Sequence, residues 1–201
     1  MPTRKVLFMA TIAALLLAGA YYQVTTKNSS TSLLPDTALA AQFKELSENG
    51  NSACSVDFMN SIDSMSSDVN IKGSCCSPMD FHRYQEQREG LKKYSAIAEI
   101  PADPYNIPAP LAKQLKGYYD ITLTPEQQKT YDYAMQHSHE KGPCCCKCWH
   151  WYVYGGLAKL LIQKYAFTGA QVADVWNLSD GCGGAGHDHD SHGEKMDHMM
   201  Q

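Results

Sequence analysis

PCCCKCWHWYVYGGLAKLLIQKY, residues 143–165, places four of the chain's eight cysteines directly ahead of an apolar, helix-patterned run. Leu157, Leu161 and Tyr165 fall at i, i+4 and i+8 with Leu160 beside them, so the run predicts a core helix. Gly155 and Gly156 either let another backbone come close or mark a kink. If the helix begins at about Cys144, Cys144 and Cys145 stack with Cys148 on one side of its first turn. Cys146 falls on another side, with His150 four residues on. A helix start favours thiolate over thiol, and thiolate is the form that binds metal or attacks a disulfide. Staples or small buried residues are the plainer reading of cysteines. Yet neighbouring cysteines rarely bridge one another, and four in five residues cannot all reach distant partners. Trp149, Trp151, Tyr152 and Tyr154 either shield these thiols or are ordinary core.

The other cysteines lie far away in sequence. Cys75 and Cys76 precede Ser77-Pro78, an N-cap and a proline at the first helical position, predicting a helix from Pro78 to about Ala98. Its apolar side is Phe81, Tyr84, Leu91 and Tyr94, with Gly90 weakening the middle. A second thiol pair before a helix repeats the main pattern. Cys182 sits in SDGCGG, a turn able to fold back and supply a last sulfur. Cys54 stands alone and reads as a bridge partner or long-range ligand, outside the main thiolate set. Met59, Met65, His82, His137 and His139 are better explained by packing or solvation than by ligation.

Outward from these, Leu39, Phe43 and Leu46 mark a short helix capped at Asp36 or Thr37 and ended by Asn49-Gly50. Val56, Met59, Ile62 and Met65 suggest one loose helix within residues 51–74. Residues 99–110 carry four prolines and predict an extended connection laid across helices through Ile100, Tyr105 and Ile107. A short helix over residues 111–119 follows. Thr124-Pro125-Glu126-Gln127 and Thr168-Gly169-Ala170-Gln171 are capping boxes opening two more. The fold class is therefore mostly α, a compact bundle of about five or six short helices with a proline-rich extended crossing. No alternating strand pattern of useful length is present.

The 201 residues hold one domain with appendages. Arg4 and Lys5 precede an apolar run ending in Ala18-Gly19-Ala20, which reads as an export signal over residues 1–20. Extension through Tyr21, Tyr22 and Val24 would make it an uncleaved anchor instead, the only membrane attachment indicated. Residues 21–35 are a Ser/Thr-rich linker, residues 36–182 the cysteine-rich helical domain, and residues 183–201 a tail without a core. That tail carries His187, His189, His192 and His198 with three methionines, the composition of a weak scavenger for copper or other late transition metals. Its alternative is a polar tail with incidental histidines. The formal charge of -4 and the lack of a basic, aromatic-interleaved patch argue against nucleic acid.

At the cluster, Pro143, Cys144, Cys146 and Cys148 resemble the motif of an exported bacterial family named for Pro-Cys-Tyr-Cys-Gly-Cys, the PCYCGC motif. Cys145 replaces its tyrosine and Lys147 its glycine. YDYAMQHSHE before the cluster and YAFTGAQVADVW after it are also similar, so the resemblance spans about residues 124–178. It implies an extracytoplasmic protein with a metal role and carries no established reaction. Where further cysteines are expected downstream this chain has Tyr154, Gly155 and Gly156, leaving Cys75, Cys76 or Cys182 to stand in.

The residues together point to an exported soft-metal protein rather than an enzyme, a carrier, buffer or detoxifier most suited to Cu(I), with zinc as the other candidate. Its ligands would be Cys144, Cys145, Cys146 and Cys148, joined by Cys75, Cys76, Cys182 and His150, with the tail histidines as collectors. Another exported metal-handling protein is the natural partner. The rivals are thiol-disulfide exchange at Cys145 and Cys148, and a disulfide-stapled interaction domain without metal.

Overall fold

Among the described residues six α-helices pack around a seventh, α6, which is buried on nearly every side. In a computed structural model that describes residues 37–184, the order is α1 (Thr37–Glu48), α2 (Val56–Ser61), β1 (Asn70–Lys72), α3 (Phe81–Leu91), β2 (Asn106–Pro108), α4 (Ala109–Tyr118), α5 (Pro125–His137), α6 (Trp149–Tyr165) and α7 (Gly169–Leu178). Single 3₁₀ turns extend α2 (Ile62–Ser64) and α3 (Lys92–Tyr94). The mostly helical bundle and its proline-rich crossing are as expected, with one helix more than the anticipated range. The proposed leader, the linker and nearly all of the tail lie outside the described residues. Within them, no helix is long and apolar enough to cross a membrane.

Several boundaries are corrected. The expected helix from Pro78 begins instead at Phe81, because Asp80 rather than Ser77 is the N-cap, its carboxylate accepting from Arg83 N–H at 2.8 Å. Ser77 is instead engaged with Cys182 O through both its backbone N–H and its hydroxyl. The loose helix between residues 51 and 74 reduces to α2 and its turn. Val56 is exposed, while Met59 and Met65 pack on the core. Two three-residue strands form where none was expected: β1 pairs antiparallel with β2, Ile71 opposite Ile107. Both isoleucines are buried, so the proline-rich crossing is fixed by hydrophobic burial at its centre with a short hydrogen-bonded ladder beside it. The capping boxes at Thr124/Gln127 and Thr168/Gln171 are both present.

Packing on α6 explains its two glycines. A Cβ at Gly156 would fall inside contact distance of Leu115 O on α4, and one at Gly155 would meet the Tyr119 ring at 2.8 Å. The glycines therefore mark a close crossing of backbones rather than a kink. The α5 and α7 pair covers the opposite side, with Trp176 Nε1 donating to Tyr154 O at 3.0 Å and its ring edge-on to Tyr131. A second small core, Leu46, Tyr84 and Tyr105, seats α1 against α3 through Leu39, Phe43 and Phe81. Beside it the buried Asp103 carboxylate accepts from Gln42, Tyr84 and Arg88 and from the Tyr105 N–H. Four donors satisfy a charge that would otherwise be costly to bury.

Gly156→Ala is expected to destabilise the chain by about 3 kcal/mol, because the added methyl faces backbone that cannot rotate away. For a domain of this size the thermal midpoint followed by circular dichroism should fall by roughly 10 °C. A midpoint unchanged within error would mean that α4 and α6 do not cross at this glycine.

Candidate metal centre

Four separate backbone segments meet at the N-terminal end of α6. Cys75 N–H donates to Gly181 O at 3.1 Å, Ser77 N–H to Cys182 O at 2.9 Å and Gly184 N–H to Pro78 O at 2.7 Å, so residues 75–79 run beside residues 181–184. Cys54 N–H donates to Cys75 O at 3.2 Å, adding the loop before α2. The fourth segment, residues 138–148, is held by its own bonds: Ser138 Oγ accepts from Gly142 N–H at 2.9 Å, and Lys141 takes a positive φ of 53°. Gly142 lies under the Trp151 ring. None of these restraints uses a sulfur.

That fourth segment is not helical where a helix was expected. α6 begins at Trp149, with Cys148 extended at the cap position and residues 143–147 in bends. A helix through residues 144–148 would have turned Cys146 away from Cys144 and Cys148. The looped backbone lets the four sulfurs converge, and Cys144 and Cys148 Sγ still lie 3.7 Å apart.

All eight cysteines are free thiols drawn into one connected group. Cys54 and Cys146 Sγ are 3.0 Å apart, Cys145 and Cys182 3.1 Å, Cys144 and Cys182 3.2 Å, Cys75 and Cys76 3.6 Å, and Cys75 and Cys182 4.0 Å. Within 4.8 Å limits the donors form four triads: Cys54/Cys146/Cys148, Cys75/Cys76/Cys182, Cys76/Cys145/Cys146 and Cys144/Cys145/Cys182. The separations exceed the ~2.05 Å of a disulfide. A cation with metal–sulfur bonds of about 2.3 Å would space its sulfurs by ~3.8 Å in a tetrahedron and ~4.0 Å in a trigonal plane. The donors therefore fit a thiophilic cation after shifts of less than about 1 Å. Cysteine groups here could hold a metal ion.

The cluster is graded in exposure. Cys144, Cys148 and Cys182 retain only 1, 5 and 3% of their surface, while Cys54, Cys76 and Cys145 are exposed. Charge follows a related pattern. Thiol donation from Cys144 and then Cys75 draws the Cys148 and Cys182 thiols far below the usual range, whereas the donor Cys144 is pushed up. Burial followed by bonding to Cys182 raises Cys145, and bonding to Cys146 raises Cys54. Crowded sulfurs cannot all ionise, so without a cation the cluster shares protons among its thiols. A bound cation reverses that balance.

Every cysteine expected at the site is present, and Cys54, left out of the main set, joins it. His150 is fully buried, its Nδ1 3.3 Å from Pro143 O and its ring stacked on Tyr154 at 4.0 Å, and desolvation lowers its pKa. Its Nε2 edge lies against Gly181, with no hydrogen-bond partner at Nε2, and the residue belongs to none of the donor triads. Trp149 is buried beside it, donating to Ser52 Oγ at 3.1 Å. His82 is an exposed partner of Glu86, His137 stacks on Tyr133, and the His139 N–H donates to Asn177. His187, His189, His192 and His198 lie outside the described residues. Compared with family models, curated proteins and solved structures, the chain matches none.

Gly183 holds Cys182 in place: its φ is 81° and a Cβ there would strike Ser77 O. Gly183→Ala should impose at least ~1–2 kcal/mol of backbone strain on this segment. Local opening then becomes roughly tenfold more frequent. The reaction of Cys182 with a thiol reagent in the metal-free chain should accelerate by that factor; an unchanged rate would contradict the pairing of residues 75–79 with 181–184.

Proposed function

We propose that this is an exported soft-metal-binding protein that takes up Cu(I) through its cysteine cluster and serves as a carrier, buffer or detoxifier. The observation that carries the reading is the convergence of eight free thiols from four chain segments on one end of α6. A soft thiolate set selects a soft cation, and exported cysteines survive as thiols best when something occupies them. Copper is preferred to zinc because each donor group among the described residues is a triad. A structural zinc site almost always closes a tetrahedron of four. The resemblance around Pro143, Cys144, Cys146 and Cys148 supports the exported, metal-linked reading.

The burial gradient suits handover. Cys54, Cys76 and Cys145 present sulfur to solvent, where a donor or acceptor thiolate of another exported metal-handling protein can exchange ligands, while Cys144, Cys148 and Cys182 hold the ion away from water. The thiol-exchange alternative receives less support. Cys145 Sγ lies beside Cys182 and Cys148 Sγ beside Cys144, so Cys145 and Cys148 do not form an isolated dithiol. The tail histidines are a low-affinity collector in this reading.

Chain purified without oxygen and exposed to Cu(I) should retain copper through desalting. Its eight thiols should react with a thiol reagent only after a Cu(I) chelator is added. Replacing Cys144, Cys145, Cys146 and Cys148 together with Ser should abolish retention. The proposal fails if the thiols titrate freely with copper present, or if the four-serine chain retains as much metal as the parent.

A further inference from the structure

The four donor triads are not independent, and resting on the Cu(I) reading above, their overlap sets a stoichiometry. Cys146 belongs to the first and third triads, Cys76 to the second and third, Cys145 to the third and fourth, and Cys182 to the second and fourth. Cys54, Cys148, Cys75 and Cys144 each belong to one. Four three-coordinate ions need twelve metal–sulfur bonds. Four shared sulfurs supply two each and four unshared sulfurs one each, which is the same total with no donor left over. Two separate mononuclear sites, at Cys54/Cys146/Cys148 and Cys75/Cys76/Cys182, would share no sulfur but would leave Cys144 and Cys145 unused, whereas the shared arrangement uses all eight.

We infer that the chain binds four Cu(I) ions as one thiolate-bridged cluster, with Cys76, Cys145, Cys146 and Cys182 bridging and Cys54, Cys75, Cys144 and Cys148 terminal. Each ion replaces thiol protons, which leave to solvent, and no sulfur or copper changes oxidation state. The triad Cys76/Cys145/Cys146 consists wholly of bridges and shares one sulfur with each of the other three. It is also the one triad without a buried sulfur, so its ion is both the most accessible and the one linked to all the rest. Filling it requires the neighbours' sulfurs to converge, so loading is cooperative.

Two exposed cysteines distinguish a bridge from a terminus with little risk to folding: Cys145 bridges and Cys54 does not. Full-length chain, Cys54→Ser and Cys145→Ser would each be titrated anaerobically with Cu(I) against a competing Cu(I) chelator, and the loaded species counted by native mass spectrometry. The parent should load four ions, without populated intermediates of one or two. Cys54→Ser should keep three tightly held ions and Cys145→Ser two, since its loss opens two triads at once. Equal losses in the two variants, or a parent that fills with one or two isolated ions, would overturn the bridged cluster while leaving Cu(I) binding intact. Failure of the parent to compete with the chelator for any copper would overturn both readings.

Discussion

Cys54 N–H to Cys75 O, Cys75 N–H to Gly181 O and Ser77 N–H to Cys182 O are the bonds on which the site depends. They stitch three stretches of chain, far apart in sequence, into one short ladder whose side chains include four cysteines. Each contributes only about 1 kcal/mol net. Their value lies in geometry, because they place sulfurs within 3–4 Å of one another without a disulfide or a metal to pull them there. Crowding so many thiols gains little by itself and makes their ionisation mutually unfavourable. A scaffold that imposes such crowding stores a preference for a cation that relieves it.

The rest of the fold keeps that scaffold rigid. α6 runs from the cluster through the centre of the core, where Gly156 lets the α4 backbone come close and Gly155 makes room for the Tyr119 ring. α7 ends at the loop carrying Cys182. That loop is tied back to α3 by Gln87 Nε2 donating to Asp180 O at 2.7 Å and by Arg83 Nη2 donating to Asn177 O at 2.5 Å. Burial raises the Asp180 carboxyl to about 7, with the charge of Cys182 adding to the effect. Trp149 and His150 are buried at the start of α6, and the exposed cysteines of the cluster are Cys54, Cys76 and Cys145.

Much of this was legible in sequence where local chemistry decides structure. The two capping boxes, the Leu157/Leu161/Tyr165 stripe and the proline-rich crossing each announce themselves in a few residues, and each is where expected. Cys182 was legible because a glycine-rich turn permits the positive φ that Gly183 adopts. The start of α6 was misjudged because cysteine spacing fits a helix as well as it fits a loop. What separates the two is Trp151 pressing on Gly142 and the Ser138 bonds, both tertiary. Cys54 was left open between a bridge partner and a long-range ligand for a similar reason: its link to Cys75 is long-range backbone pairing, which leaves no periodic trace. The strands β1 and β2 escaped notice because three residues are too few to show alternation.

The central claim is that sulfurs from distant segments already face one another in the chain itself, and disulfide mapping after brief, mild oxidation of the metal-free protein tests it most directly. The first cross-links should join Cys54 to Cys146, and Cys182 to Cys144 or Cys145, because those pairs start 3.0–3.2 Å apart. If Cys54 and Cys182 instead remain singly alkylatable while bonds form only within residues 144–148 or between chains, the sulfurs do not converge and the account is wrong.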